Sequence, residues 1–363
     1  MENSALGIMT VHAPGKPPFP ERVFFRRLIE RGQKEGISVI VFHPTAIHFE
    51  TQKLNGFTLD QKGKWQTITA PIPPFIYDRC FYLGTKYNRT YKPQIDRLLS
   101  LKGIRFLGVG LKGKWQMYQL VKNHPTLASY LPPTERVENL DQIQSWLQRY
   151  PSIILKPMSG SLGIGVMKAS KSNSAIIVEG RGKNNVPFRK SFKSFQSFCT
   201  FFKSRIERWK YLIQPYLTLK TQHGVPFDVR LLVQKDGTGQ WVTTGSAIRM
   251  GQSKSITSNL HGGGKAFSFH QFLEQYYTPV QAEKINSKIA IIERTLPKYL
   301  EKHHGPLVEI GIDIGIDSDQ NVWLIEVNSK PGRQIFEQLQ DKEAVLKSQL
   351  SPLYYAKYLM RSY

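Results

Sequence analysis

Two periods of apolar and polar residues run through the first hundred positions. Residues 8–12 read as a strand, and residues 20–36 carry Val23, Phe24 and Leu28 at helical spacing, with Arg27 and Arg31 beside them and a glycine at the end. Residues 37–42 return to a strand, so the order strand, helix, strand predicts a parallel pair joined by a crossover. A hairpin is predicted around residues 62–64. Residues 71–79 read as a strand ending in the polar residues Tyr77, Asp78 and Arg79. A helix over 92–101 and a strand over 105–107 complete a small α/β unit spanning residues 1–110.

A second unit, 111–210, opens with a helix at residue 114. It continues with a short strand after Pro132-Pro133, then a helix over 140–149 with Asn139 as its N-cap. Strands over 152–157, 166–169, 176–178 and 186–189 follow, and a helix over 195–206 closes the unit. A third unit, 211–363, begins at the strand 211–215. It contains long strands over 227–234 and 241–249, a glycine-rich loop at 262–265, a helix over 279–302, an acidic hairpin over 308–328 and a helical tail over 354–361.

The hairpin carries the first chemistry. Side chains two apart on a strand share a face, so Glu326 and Asn328 point the same way, and Asp313 on the partner strand reaches that face. Two carboxylates and an amide oxygen suit Mg²⁺, which takes hard oxygen ligands and is commonly completed by substrate phosphates. A solvated surface hairpin is the alternative reading. Against it stand the apolar runs around these acids, where an unpartnered charge is costly.

Upstream lies a loop over residues 158–165 with glycines at 160, 163 and 165 and serines at 159 and 161. Such a backbone can approach and cradle phosphates. It lacks the Lys-Ser/Thr ending of a Walker A loop and joins two strands instead of leading into a helix. A plain hairpin loop is the competing reading. Lys156, set in the strand Ile-Ile-Leu-Lys-Pro immediately before it, favours the phosphate reading, because a nucleotide supplies a reason for a lysine among apolar neighbours.

Composition narrows the partners. The net charge of +23 on 363 residues predicts attraction to polyanions, with no zinc-finger spacing or RNA-reading aromatic signature to make it specific. No apolar run approaches the length needed to span a bilayer. The N-terminus lacks the basic and long apolar regions of a signal peptide, and Cys80 and Cys199 make no disulfide framework, so a reducing, cytoplasmic setting is expected. Gly108–Gly113 spells G-x-G-x-x-G, but Pro132-Pro133 interrupt the strand a dinucleotide fold requires, and an interdomain linker is the preferred reading. Cys199 falls on an amphipathic helix and is read as core.

The order of these features resembles the ATP-grasp superfamily over about residues 111–335. Lys114-Trp-Gln-Met-Tyr, Phe227-Asp-Val-Arg, Ser246-Ala-Ile-Arg-Met and Ser258-Asn-Leu-His-Gly-Gly-Gly look like the YheC/YheD family of endospore coat-associated ATP-grasp proteins, over essentially the whole chain. The resemblance implies an α/β (α+β) protein: an ATP-grasp fold preceded by a Rossmann-like pre-ATP-grasp domain, then a lid subdomain and a C-terminal subdomain with the metal site. It implies that Lys114 and Lys156 contact the α- and β-phosphates or the adenine edge, and that Ser159, Gly160, Ser161, Gly163 and Gly165 form a mobile phosphate lid. Gln214 and Tyr216 would lie at the adenine hinge, where backbone groups usually read the base. Many relatives have Glu where this chain has Gln214. Arg230 and Arg249 would neutralise the γ-phosphate or an acyl phosphate. Asn259 would complete the substrate or metal side, and Asp313, Glu326 and Asn328 would hold Mg²⁺.

The implied activity is ATP-dependent carboxylate–amine ligation through an acyl phosphate. Its carboxylate and amine substrates are undetermined by sequence, a peptide among the options, and Tyr77, Asp78 and Arg79 are candidates for the acceptor pocket. A nucleotide-binding structural protein without turnover and a polyanion-binding protein are the alternatives. Association with the forespore or spore coat, and with acidic coat proteins, follows from the resemblance alone.

Overall fold

The computed structural model describes residues 4–81, 85–160, 163–172, 174–182, 186–207, 209–252 and 264–362, with side chains left undescribed at 85–87. Three sheets form successively along the chain.

The first sheet contains β1 (Ala5–Met9), β2 (Ser38–His48), β3 (Lys53–Leu59), β4 (Trp65–Pro71), β5 (Phe75–Asp78) and β6 (Arg105–Gly108), in the order β4-β3-β2-β1-β5-β6. Helix α1 (Arg22–Lys34) links β1 to β2, and α2 (Thr85–Leu99) links β5 to β6. The pairs β2-β1, β1-β5 and β5-β6 are parallel, so a doubly wound Rossmann-like core carries an antiparallel extension. Phe24, Phe25, Leu28 and Ile29 of α1 are buried against it, as their spacing requires. Helix α2 starts seven residues earlier than its periodicity indicated and runs through Pro93. Gly108 and Val109 form a junction: the Val109 N–H donates to Pro306 O at 2.9 Å, and a Cβ on Gly108 would lie 2.7 Å from Val308 N. That close crossing accounts for the glycine at 108 without a dinucleotide.

The second sheet contains β7 (Glu135–Arg136), β8 (Ser152–Pro157), β9 (Met167–Ser172), β10 (Ala175–Arg181), β11 (Pro187–Phe192) and β12 (Tyr211–Pro215). Its order is β11-β10-β9-β8-β12-β7. Helix α3 (Lys114–Lys122) precedes it, and α4 (Leu140–Arg149) and α5 (Phe195–Ile206) cover one face. Asn139 caps α4 by accepting from the Gln142 N–H at 2.9 Å. Ile153, Leu155, Met167, Ala169 and Ile213 pack under the helices, Cys199 of α5 among them. The alternate residues Ile154, Lys156 and Gln214 therefore face the other way. Strand β12, which the order of predicted elements places at the start of the third unit, is hydrogen-bonded between β8 and β7. The second sheet thus extends to Pro215; a five-residue strand shows no partner preference in its own sequence.

The third sheet contains β13 (Phe227–Lys235), β14 (Trp241–Met250), β15 (Lys265–Ser268), β16 (Glu309–Ile316) and β17 (Val322–Asn328), in the order β15-β14-β13-β16-β17. Helix α6 (Phe269–Tyr276) and helix α7 (Pro279–His304) lie on one face, with Ile285, Ile289, Ile292, Leu296 and Leu300 of α7 buried. Strand β16 reads Glu-Ile-Gly-Ile-Asp-Ile-Gly-Ile, and all eight residues are buried. Its four isoleucines join the core beneath α7, which turns Glu309, Gly311, Asp313 and Gly315 to the opposite face. Helix α8 (Gln334–Gln338) and the long α9 (Lys342–Arg361) finish the chain. Leu353, Tyr355 and Ala356 of α9 pack into the core of the first sheet, beside Phe24 and Leu28. No helix among the described residues is long and apolar enough to cross a membrane.

Candidate functional site

The uncovered faces of the second and third sheets enclose a cavity of about 1590 Å³ whose far end reaches the carboxyl ends of β1 and β5. Lys114, Lys156, Ser159, Gly160, Gly163, Gln214, Tyr216, Arg230, Arg249, Asp313, Glu326 and Asn328 all line it. Two expected residues, Ser161 and Asn259, lie outside the described residues. Gly165 is not on the cavity wall: its N–H donates to Arg181 O at 2.9 Å, and a Cβ there would meet Pro157 at 2.9 Å, so it shapes the base of the loop. Gly160, Gly163 and Gly165 have φ of 110°, 76° and 79°, the left-handed region that glycine enters without strain.

Lys156 and Lys114 form one wall. Lys156 projects from β8; loss of water pushes its ammonium down to about 8, the neighbouring Glu326 carboxylate works upward, and Lys114 works downward. Lys114 Nζ donates to Gly160 O at 2.9 Å and stands 3.6 Å from a Glu326 oxygen. It therefore ties the glycine-rich loop to the third sheet.

A charged row on the third sheet forms the opposite wall. The register sets Asp228 across from Arg249, Arg230 across from Asp313, and Asp313 across from Glu326. Arg249 donates to both Asp228 oxygens, at 2.6 and 2.7 Å, and its Nη2 lies 2.9 Å from Asp313. Arg230 donates to both Asp313 oxygens, at 2.6 and 3.1 Å. Burial alone would raise the Asp313 carboxyl; the Arg230 and Arg249 guanidiniums outweigh it and hold the acid below the ordinary range. Burial likewise opposes the Arg249 charge, and Asp313 and Asp228 more than offset it. Among the described residues, these contacts use Nε and Nη2 of both arginines and leave Nη1 for a ligand.

The partners that these acids need among apolar neighbours are cations of the protein itself: Asp313 is neutralised by two guanidiniums and Glu326 faces Lys114. The donor set still fits Mg²⁺ of the phosphate-completed kind. Glu326 and Asn328 are half-buried on the cavity wall, and Asp313 Oδ1 accepts one hydrogen bond, leaving a lone pair. No group of three or more His, Cys, Asp or Glu among the described residues forms a protein-only metal cage, so phosphate oxygens would have to complete the shell.

At the far end, Lys330 donates to Asp78 Oδ2 at 2.7 Å and to Cys80 O at 2.8 Å. Asp78 lines the cavity, whereas Tyr77 and Arg79 do not. They belong to a buried network: Tyr77 OH donates to Glu309 Oε1 at 2.6 Å, Arg79 Nη1 donates to the same oxygen at 3.0 Å, and Arg333 binds Glu309 Oε2. On its other side Arg79 grips both oxygens of Glu21, at 3.0 and 2.6 Å, and Glu21 does line the cavity. Sequence reasoning missed Glu21, Asp228, Lys330 and Arg333. A usable sign was the polar Ser-Lys-Pro-Gly-Arg segment continuing from Asn328 into the same site.

Two facing sheets that close on a cavity, with lysines and a glycine-rich loop on one side and an arginine–carboxylate row on the other, define an ATP-grasp protein. The chain belongs to the YheC/D-like ATP-grasp family, whose family model matches residues 103–359. It is 32% identical to the endospore coat-associated protein YheC of Bacillus subtilis (strain 168) over 318 residues, 86% of each chain. It is 27% identical to YheD of the same organism over 321 residues, 88% of this chain and 70% of that one. Among solved structures, a Chryseobacterium gregarium RiPP-associated ATP-grasp ligase in complex with ADP and a leader and core peptide has a similar fold. It superposes with a TM-score of 0.52 at 13% identity, covering 97% of both chains.

Proposed function

We propose that this protein is an ATP-dependent carboxylate–amine ligase associated with the spore coat or forespore. The observation that carries the reading is the convergence of Lys114, Lys156 and the glycine-rich loop with Arg230, Arg249 and Glu326 around one cavity. Lys114 and Lys156 would hold the α- and β-phosphates, with Ser159 to Gly165 as the lid over them. Gln214 and Tyr216 would bound the adenine end, and Asn259 the substrate or metal side. Asp313, Glu326 and Asn328 would hold Mg²⁺, which when bound would neutralise charge on the phosphates. A substrate carboxylate oxygen attacks the γ-phosphorus as the bond to ADP breaks, and Nη1 of Arg230 and Arg249 meet the charge on the transferred group. An amine then attacks the acyl carbon, losing a proton as phosphate departs. The Asp78–Lys330 end of the cavity would receive the acceptor. The coat association rests on the relatives' names, and acidic coat proteins are the partners that the charge of +23 suits.

Release of ADP tests the reading. Purified protein with MgATP, screened against amino acids and short peptides, is expected to release ADP with a subset of acceptors. Nucleotide binding without turnover across the screen would favour a structural role, and no MgATP-induced rise in melting temperature would remove the nucleotide site itself. A ligand at 100 times its Kd adds about 2.7 kcal/mol, which a melt resolves.

Lys156 makes a pH-dependent prediction. With its ammonium at about 8, the site is about half protonated at pH 8, and a phosphate placed beside it raises the affinity for the proton. MgATP binding at pH 8 should therefore take up about half a proton at this residue, falling toward none near pH 6.5. Calorimetry in buffers of differing ionisation enthalpy reads this directly. Lys156→Met should abolish the uptake, and an unchanged uptake in that variant would place the proton elsewhere.

A further inference from the structure

Gln214 is nearly buried where the main cavity meets a side lobe of about 290 Å³ beneath α3. Ile154 of β8, Val166 just before β9 and Ile325 of β17 give the cavity apolar walls suited to a planar base. The side chain of Gln214 has one fixed contact: Nε2 donates to Thr134 Oγ1 at 2.6 Å. Thr134 is itself buried, its N–H donating to Tyr118 OH at 3.2 Å and its hydroxyl donating to Pro132 O at 2.8 Å.

This chain of contacts determines which way the amide points. A carbonyl oxygen only accepts, so the single hydroxyl proton of Thr134 is committed to Pro132. Oγ1 then offers Gln214 only a lone pair, and only the amide NH₂ can meet it. The carbonyl Oε1 of Gln214 is left facing away from Thr134. Among the described residues the buried side-chain atoms without a partner are Thr10 Oγ1, Arg31 Nε, His43 Nε2 and His304 Nδ1. Gln214 Oε1 accepts from no donor among these residues and is not one of them, so it remains open to the cavity.

We infer that Thr134 is a positioning residue for base selection: through Gln214 it presents a fixed hydrogen-bond acceptor that selects a 6-amino purine over a 6-oxo purine. The inference rests on the nucleotide reading above. The 6-amino group of adenine donates to Oε1, whereas the 6-oxo group of hypoxanthine would set two acceptors against each other and leave both unpaired.

MgATP and MgITP, which differ only at that purine edge, are the probes. Calorimetric Kd values for the wild type should favour ATP by at least about tenfold. Thr134→Val keeps the shape, removes the hydroxyl and frees the amide to turn, so the ratio should fall to within about threefold, while Thr134→Ser restores it. If Thr134→Val does not fold, Gln214→Met replaces it, and the ratio must again collapse. ATP binding with the ratio unchanged in Thr134→Val or Gln214→Met overturns the relay and leaves the nucleotide site standing, as would equal wild-type affinity for the two nucleotides. Failure of the wild type to bind either nucleotide overturns both.

Discussion

Asp313→Asn should destabilise the ligand-free protein by about 3–5 kcal/mol, because it strips a buried carboxylate from two guanidiniums. Arg249 retains Asp228, but Arg230 loses both of its hydrogen bonds to a carboxylate. At roughly 1.3 °C per kcal/mol for a chain of 363 residues, the loss is a shift of several degrees in a thermal melt. Glu326→Gln gives up a 3.6 Å contact with Lys114, at a position about one-third exposed, and the attraction of the carboxylate for Lys156, which can shed its proton, so the ligand-free melt should move by less than about 1 kcal/mol. The same substitution should remove the Mg²⁺-dependent part of any stabilisation by ATP. Equal losses in the two ligand-free variants would mean that Asp313 does not carry a structural load from which Glu326 is spared. The acid side provides a second check. The Asp313 carboxyl is held low, so its contribution is present above the ordinary Asp range and lost as pH falls through its lowered value. Wild-type stability should therefore decline more steeply in acid than that of Asp313→Asn.

Glu309→Gln should cost about as much, 3–5 kcal/mol, without touching the cavity. Glu309 is fully buried and receives hydrogen bonds from Tyr77, Arg79, Arg333 and Gln234. An amide offers these donors one acceptor where the carboxylate offers two and removes the charge that balances Arg333. Asp96→Asn, which breaks the exposed Lys92–Asp96 pair, is the control and should change stability by less than about 1 kcal/mol. Chemical denaturation of the two variants decides the matter; a loss below about 1 kcal/mol for Glu309→Gln would show that the network is not holding the first and third sheets together.

The two acids show how far the sequence reaches. The alternation Glu-Gly-Asp-Gly against four isoleucines on β16 is visible in the chain, and it correctly puts Asp313 on a face shared with Glu326. What it omits is the partner. Arg230 is 83 residues away and Arg79 is 230 residues from Glu309, and only the register of β13 on β16 and the docking of the first sheet decide that these cations arrive. Helices were legible where a cap and a period agreed, as at Asn139 for α4 and over α5. Helix α2 was legible only in its second half, and α6, α8 and β15 were too short to announce themselves. Most of the expected site residues line one cavity, while the roles of Tyr77, Arg79 and Gly165 changed because facing a cavity depends on packing that no local pattern encodes.

The docking of α9 on the first sheet has a consequence for synthesis. A chain emerging N-terminus first can form β1, α1 and β2 early, but the surface of α1 that receives Leu353, Tyr355 and Ala356 stays bare until more than three hundred further residues have followed. The first of the three sheets to be made is thus the last of them to be sealed. On the ribosome it must persist as an open, apolar half-core, a natural client for a chaperone, and a nascent chain arrested before α9 should remain protease-sensitive in its first hundred residues long after its later sheets have closed.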